Sequence, residues 1–424
     1  MNATAARALE FAEALGVVLD HAARVRAGGV EPAGLLASAG RVLAADVLAD
    51  RDQPPFDRAT RDGLAVRADE WARGRRLRLI GQIRAGETWQ GGPIGSGEAV
   101  EIMTGAAVPD GTDAVAMVEH VERAGKEVWI GHGRGLRVRE NVVRRGSEAK
   151  QDEALLRAGT RIGAAEIAVA ATCGYAEVAV HVPPKVAIVA TGDELVDVDR
   201  IPGERQIRNS NGYALAALVQ AAGGQPGRLK IARDTREDLR ERIAEGRTSD
   251  LLLLSGGVSA GKYDLVEEVL AESGAEFFFT GVKMQPGRPS VFGRLPRGGE
   301  SASQRVSESD ANGWVYFFGL PGNPVSTQVT FHCFAEPMIR ALSGTGAAGP
   351  RFVQATLGED VKGKAGLTRL LPAFLRHDLQ TPEVRLVGWQ GSGDLAANAR
   401  ANCYAVLADG REMLAGDVIS VLLR

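Results

Sequence analysis

The chain has 424 residues, 45% of them hydrophobic, and its 50 basic and 53 acidic side chains leave a formal net charge of −3. That length supports two to four domains with cores of their own. The balanced, interspersed charge excludes the basic face that nucleic-acid binding requires, and no run approaches the roughly 18 apolar residues of a membrane span.

In chain order, residues Thr4 to Arg26 and Pro32 to Leu48 carry apolar side chains at mixed three and four spacing, which predicts two helices in an outer layer before Pro54-Pro55. From Asp57 to about Arg145 the text changes to short alternating pieces separated by glycines, such as Arg76-Leu-Arg-Leu-Ile80 and Val128-Trp-Ile130, and predicts a small β-rich domain. Alanine-rich text returns from Glu153 to Val182, and Pro183-Pro184 marks a boundary.

From Lys185 strands alternate with helices. The predicted order is strand Val186 to Ala190, helix from about Gly212 to Ala222, strand Arg228 to Ile231 and helix Arg236 to Glu245, the last capped by Thr235 with Asp238. A buried strand over Leu251 to Leu254, a helix after Asp264, and strands at Phe277 to Phe279, Val291 to Leu295 and Trp314 to Phe318 complete a three-layer α/β domain on a largely parallel sheet. Arg297 to Gly313 is polar and reads as a hairpin insertion. Beyond Pro337 and the glycine-rich stretch 344–349, pieces such as Leu370-Leu371 and Val384 to Leu386 predict a final β domain.

Cys173, Cys333 and Cys403 lie far apart without a CxxC or a nearby histidine pair, so they read as reduced core thiols. His21, His120, His132, His181, His332 and His377 form no HExxH and no i, i+4 pair, which argues against histidine-driven catalysis and a transition-metal site. The first residues lack a basic-then-apolar signal pattern, and a cytoplasmic protein is expected.

The candidate chemistry gathers at strand ends, where ligands bind in such sheets. The run Leu251 to Leu254 empties into Ser255-Gly-Gly-Val-Ser-Ala-Gly-Lys-Tyr-Asp264, a glycine turn whose amides can cradle an anion at a helix N-terminus. It nearly spells a Walker A loop, but Tyr263 stands where a Ser or Thr must reach Mg²⁺ at about 2.1 Å; a phosphate cradle and a plain glycine turn both remain open. Thr191-Gly-Asp-Glu194, the strand end near Asp234, and Pro321-Gly-Asn-Pro324 are expected to surround the same crevice. Asp193, Glu194, Asp234 and Asp264 converging there would repel one another without a hard cation, and Mg²⁺ is the expected one. Lys283-Met-Gln-Pro-Gly-Arg-Pro289 adds cations, with Arg288 able to clamp an oxyanion.

Taken together, Thr191-Gly-Asp-Glu-Leu195, Ser255 to Asp264, Gln285-Pro-Gly-Arg-Pro289, Pro321-Gly-Asn-Pro-Val-Ser326 and Ile102-Met-Thr-Gly105 resemble the molybdopterin molybdenumtransferase family, the bacterial MoeA proteins and the related C-terminal domain of gephyrin. Gln390-Gly-Ser-Gly-Asp-Leu395, followed by Asn398 and Asn402, resembles the family's C-terminal signature. The resemblance implies an α/β multidomain fold: a discontinuous helical linker domain (1–55 and 146–182), a β-rich domain (56–145), an α/β molybdopterin-binding domain (183–343) and a C-terminal β-barrel (344–424). It implies insertion of molybdate into adenylylated molybdopterin with Mg²⁺ and release of AMP. It also implies a homodimer with an intersubunit site, and a molybdopterin adenylyltransferase and an apo-molybdoenzyme as partners.

By resemblance the pterin phosphate would be held by Thr191, Gly192, Asp193, Ser255, Gly256, Gly257, Ser259, Gly261, Pro321, Gly322, Asn323 and Ser326. Glu194, Asp234 and Asp264 would organise Mg²⁺, Asp62 and Thr104 would come from the other subunit, and Arg288 with Lys283 would attract molybdate. In-line loss of AMP needs positioning and charge neutralisation more than a side-chain nucleophile. The chain departs from the family's pattern on the molybdate side. The family's Asp-Asn-Ser-Ala-Met-Asp-Gly-Tyr-Ala reads Asp57-Arg-Ala-Thr-Arg-Asp-Gly-Leu-Ala65, its Asn-Ile-Arg-x-x-Gly-Glu-Asp reads Asn141-Val-Val-Arg-Arg-Gly-Ser-Glu148 with Val143 in place of Arg, and Gln285 replaces a frequent Lys. Two other readings follow: a diverged molybdopterin carrier without transferase activity, and a metal-dependent phosphohydrolase on the same α/β domain.

Overall fold

The computed structural model describes residues 8–131, 134–257, 265–297, 313–377, 379, 381–408 and 410–424. The predicted first helix forms over Phe11–Ala22, its start fixed by the Glu13 side chain accepting the Glu10 N–H at 3.1 Å. Ala14, Val18 and Ala22, four residues apart, put one stripe against Phe279, Phe334 and Met338 of the α/β domain.

The second predicted helix, Pro32 to Leu48, does not form. Val30–Gly34 is instead a strand paired antiparallel with Glu177–His181, and Val47–Leu48 pairs with Ala154–Leu156. Leu43 and Val47 bury among Ile162, Val178 and Val180 from loop and strand backbone. Two glycines, Gly34 ending the strand and Gly40 at φ +78°, weaken the helix here, and tertiary pairing overrides the spacing. These pairings bring segments on both sides of the β-rich text into one cluster.

Within that text six strands make one sheet, in the order Ala114–Met117, Gly63–Val66, Glu98–Ile102, Leu77–Ile83, Glu127–Ile130 and Val121–Ala124.

The α/β sheet also has six strands, in the order Gln225–Arg228, Lys185–Ala190, Leu251–Ser255, Trp314–Leu320, Val291–Pro296 and Glu276–Phe279. The first four are mutually parallel, and Val291–Pro296 runs antiparallel to both of its neighbours, Trp314–Leu320 and Glu276–Phe279. The strand expected over Arg228 to Ile231 lies three residues earlier. As an edge it tolerates Pro226 and Gly227, which the sequence pattern counts against a strand.

Leu251–Ser255 is central, and its continuous apolar run has a direct cause: both faces are covered. Leu251 and Leu253 face a core with Leu215, Val219 and Phe318, while Leu252 and Leu254 face Ile243, Val269 and Phe317. Each leucine is fully buried, worth about 1.5–3 kcal/mol. Helix Arg236–Gly246 begins as expected, Thr235 Oγ1 accepting the Asp238 N–H at 3.3 Å. Helix Leu265–Glu272 follows the glycine turn, whose residues 258–264 lie outside the described residues. The predicted hairpin insertion falls largely outside them too, but Arg297 N–H donates to Gly313 O at 2.8 Å where the flanking antiparallel strands part.

Beyond residue 350, five strands close into a barrel: Thr368–Arg376, Glu383–Leu386, Phe352–Leu357, Val418–Leu423 and Cys403–Leu407, the last pairing back to the first. Met284–Gln285 of the α/β domain pairs with Thr368–Arg369 and joins the two. All three cysteines are free and buried, and among the described residues no helix is long and apolar enough to cross a membrane.

Candidate functional site

Parallel strands Lys185–Ala190, Leu251–Ser255 and Trp314–Leu320 release their chains on one edge of the sheet, and a cavity of about 400 Å³ opens there. Backbone bonds lace the emerging turns together: Thr191 N–H donates to Ser255 O at 3.0 Å, Gly192 N–H to Ala232 O at 3.1 Å and Gly256 N–H to Leu320 O at 3.1 Å. Gly256 is required twice over. Its φ is +99°, and a Cβ there would sit 2.7 Å from Thr191 O.

Of the residues singled out from sequence, Thr191, Gly192, Ser255, Gly256 and Gly257 line this cavity, with Pro321, Gly322 and Asn323 opposite. Glu194 and Asp234 stand at its exposed rim. Asp193 does not line it but supports it, its Oδ1 accepting the Asp234 N–H at 3.4 Å. Ser326 is buried one turn into the helix Pro324–Thr330 and reaches no cavity surface. Ser259, Gly261 and Asp264, with Lys262, lie outside the described residues. Among the described residues no three acidic, histidine or cysteine side chains form a metal cluster. Glu194 and Asp234 supply the oxygen donors a hard cation takes.

Two cavity residues escaped sequence reasoning. Asn211, in the first turn of helix Ser210–Ala222, is buried, and its Nδ2 meets Ser255 Oγ at 2.9 Å, Gly322 O at 2.7 Å and Thr327 Oγ1 at 3.2 Å. Arg208 ends a short strand on the rim, its Nε donating to Val198 O and Arg200 O at 3.2 Å each. The available signal was Asn209-Ser-Asn-Gly212, an N-cap string directly after a strand; Asn209 Oδ1 does accept the Gly212 N–H, at 2.9 Å. Asn211 Oδ1 and Thr191 Oγ1 are buried with no partner among the described residues. Such atoms are costly unless a ligand or water satisfies them.

On the β-rich sheet the structure joins the two other sequence-predicted residues. Asp62 Oδ1 accepts the Thr104 N–H at 2.6 Å and its hydroxyl at 2.8 Å. These bonds, the backbone one foremost, hold the exposed Asp62 carboxyl below its ordinary range. Gly63, the next residue, is required by the neighbouring strand Ala114–Met117, since a Cβ there would fall 1.8 Å from Ala116 O. Neither Asp62 nor Thr104 lines the cavity of its own chain.

Comparison with known proteins then decides the family. Residues 9–174 match the MoeA N-terminal region (domain I and II), 187–341 the "Probable molybdopterin binding domain" and 354–423 the MoeA C-terminal region (domain IV). Molybdopterin molybdenumtransferases of Staphylococcus aureus and Staphylococcus epidermidis are each 33% identical over 393 residues, covering 91% of this chain and 89% of theirs. The chain belongs to the molybdopterin molybdenumtransferase family. It is thereby an enzyme of molybdenum cofactor biosynthesis. Two solved MoeA structures from Pyrococcus horikoshii agree in fold over nearly the whole chain: one at 29% identity and TM-score 0.72 over 98% of this chain and 99% of that one, the other at 25% and 0.76 over 99% and 100%.

Several departures from the molybdopterin molybdenumtransferase pattern contact one another. Arg58 and Glu148 form an ion pair at 3.1 Å, and Val143 is half-buried in register with Arg58. The neighbouring Arg145 donates its N–H to Asp57 at 2.9 Å and its Nε to Asp52 at 3.0 Å. Lys283 is held by Glu10 at 2.5 Å, so the first helix engages this cation. Arg288 is exposed next to Pro289, which lines the cavity. Gln285 brings no charge, and its Oε1 is buried without a partner among the described residues.

Proposed function

We propose that this enzyme inserts molybdate into adenylylated molybdopterin and releases AMP, with the cavity at the α/β strand ends as the phosphate side of the site. The supporting observation is the pairing of buried, unpartnered Thr191 and Asn211 polar atoms on its floor with the Glu194 and Asp234 carboxylates at its rim. The glycine-turn residues Gly256 and Gly257, and Gly322 opposite, let backbone approach a phosphate closely. Glu194 and Asp234, with Asp264, would hold Mg²⁺, whose charge would offset that of the pyrophosphate. Arg288 would draw molybdate by charge. No nucleophilic side chain is needed; the residues hold the anhydride in line and exclude competing geometries.

Asp62 and Thr104 would complete the site from the partner subunit of a homodimer. Their bonded geometry and their absence from the cavity of their own chain support this. Three buried free thiols fit a reducing, cytoplasmic setting. A molybdopterin adenylyltransferase supplying substrate and an apo-molybdoenzyme taking product are the partners that the chemistry calls for.

The decisive measurement is AMP release from adenylylated molybdopterin with Mg²⁺, with and without molybdate. Molybdate-dependent release is expected. Tight pterin binding with no release would instead select the carrier reading, which the uncharged Gln285 and the Val143 pairing favour. Release indifferent to molybdate would select a phosphohydrolase.

A further inference from the structure

We infer that Asn211 is a positioning residue that aims the Ser255 hydroxyl proton into the cavity as a hydrogen-bond donor to the ligand's phosphate. The inference rests on the phosphate-site reading above and adds to it the residue that sets the polarity of the site's floor.

The amide's orientation follows from its neighbours. Gly322 O can only accept, so the atom 2.7 Å away must be Nδ2. That nitrogen has two hydrogens for three acceptors: Gly322 O, Ser255 Oγ and Thr327 Oγ1. Thr327 Oγ1 donates its own proton within the helix start, to Pro321 O at 2.6 Å or Asn323 O at 3.0 Å, and so is only an acceptor toward Asn211. Ser255 Oγ differs. It receives the Asn211 hydrogen at 2.9 Å, which uses one lone pair, and its proton has no acceptor among the described residues. A serine at the end of a fully buried strand, lining the cavity and accepting from behind, can only donate forward. The same amide ties the Ser255 strand end to the Gly322 turn, so both walls are held by one buried side chain.

The test is a double-mutant cycle read as molybdopterin affinity by fluorescence titration, with the KM for molybdate and the thermal midpoint recorded beside it. Ser255→Ala is expected to raise the molybdopterin Kd roughly tenfold, the loss of one hydrogen bond to a charged group. Asn211→Ala is expected to raise it at least as much, leave the KM for molybdate unchanged, and make Ser255→Ala nearly silent when combined. Additive losses, roughly a hundredfold together, overturn the inference while leaving the phosphate site intact. A parent chain that does not bind molybdopterin overturns both.

Asn211→Asp keeps the shape but sets a carboxylate oxygen against Gly322 O, 2.7 Å from the present nitrogen, so its thermal midpoint is recorded to separate a folding loss from a binding loss. Its carboxylate would take the Ser255 proton and turn a lone pair toward the phosphate, so adding Ser255→Ala should leave affinity unchanged or restore part of it. A further loss on that background overturns the inference as well.

Discussion

At the carboxyl ends of the α/β strands polar atoms are buried and left without partners, whereas on the β-rich sheet the polar atoms are exposed and already paired. Thr191 Oγ1 and Asn211 Oδ1 represent the first condition and the doubly bonded Asp62 the second. A buried unsatisfied group costs about 1–3 kcal/mol, a cost that a ligand's polar atoms remove. The α/β wall is therefore strained toward a ligand. The Asp62 string carries no such debt; it presents a carboxylate kept ionised by its own neighbours, suited to meeting a site it does not itself enclose.

The strongest way to break that contrast is to disable the two walls in separate chains. Glu194→Gln and Asp62→Asn are each expected to lower molybdate-dependent AMP release by about a hundredfold or more, since each removes a charge the reaction needs. Co-expressed in one cell, the two defective chains should recover roughly a quarter of parent activity if each site takes one wall from each subunit, because half the dimers are mixed and each mixed dimer holds one intact site. No recovery would place both walls in one chain.

Next in size are the glycines. Gly256→Ala forces a side chain at φ +99° against Thr191 O, and Gly63→Ala drives a Cβ into Ala116 O. Both should lower the thermal midpoint, by a strain of order 1–3 kcal/mol for the positive φ and at least as much for the sheet clash. Only Gly256→Ala should also weaken molybdopterin binding. Equal binding losses would mean that the sheets are not separable.

A smaller effect concerns how the first helix docks. His21 stacks on Phe278 with ring centroids 3.9 Å apart and meets Tyr316 Oη at 3.2 Å. Burial, foremost, pushes its pKa down from 6.5 to about 4. The unfolded chain then binds more protons than the folded one in this window, so stability is fully present above pH 6.5 and is lost as pH falls toward 4. Thermal midpoints measured across that range should fall for the parent chain and less steeply for His21→Phe, the remaining fall belonging to carboxyls such as Asp62 whose pKa folding lowers.

How legible the site was in the sequence depended on what held each residue in place. Glu194, Asp234, Gly256 and Asn323 announce themselves because strand ends with acids and glycines have strong local signatures. Asn211 had only the N-cap string around it: an asparagine after a strand and before a helix reads as a cap, and only tertiary packing brings it against Ser255 and Gly322. The same gap explains the missing second helix. Leu43 and Val47 have helical spacing, but their burial is set by Ile162 and Val178, more than a hundred residues away. The central strand was easy for the opposite reason, since two covered faces leave an unbroken apolar run.

The smallest change should fall on Thr104. Replacing it by valine removes the 2.8 Å hydroxyl bond to Asp62 but leaves the 2.6 Å backbone bond, the larger cause of that carboxyl's lowered pKa. If the hydroxyl serves only Asp62, Thr104→Val should cost about twofold to tenfold in AMP release, the range of one ordinary hydrogen bond. The acid limb of the pH–rate profile should then shift upward, because a less supported carboxylate takes its proton at higher pH. A loss as large as that of Asp62→Asn, with no such shift, would show instead that the hydroxyl itself touches the substrate.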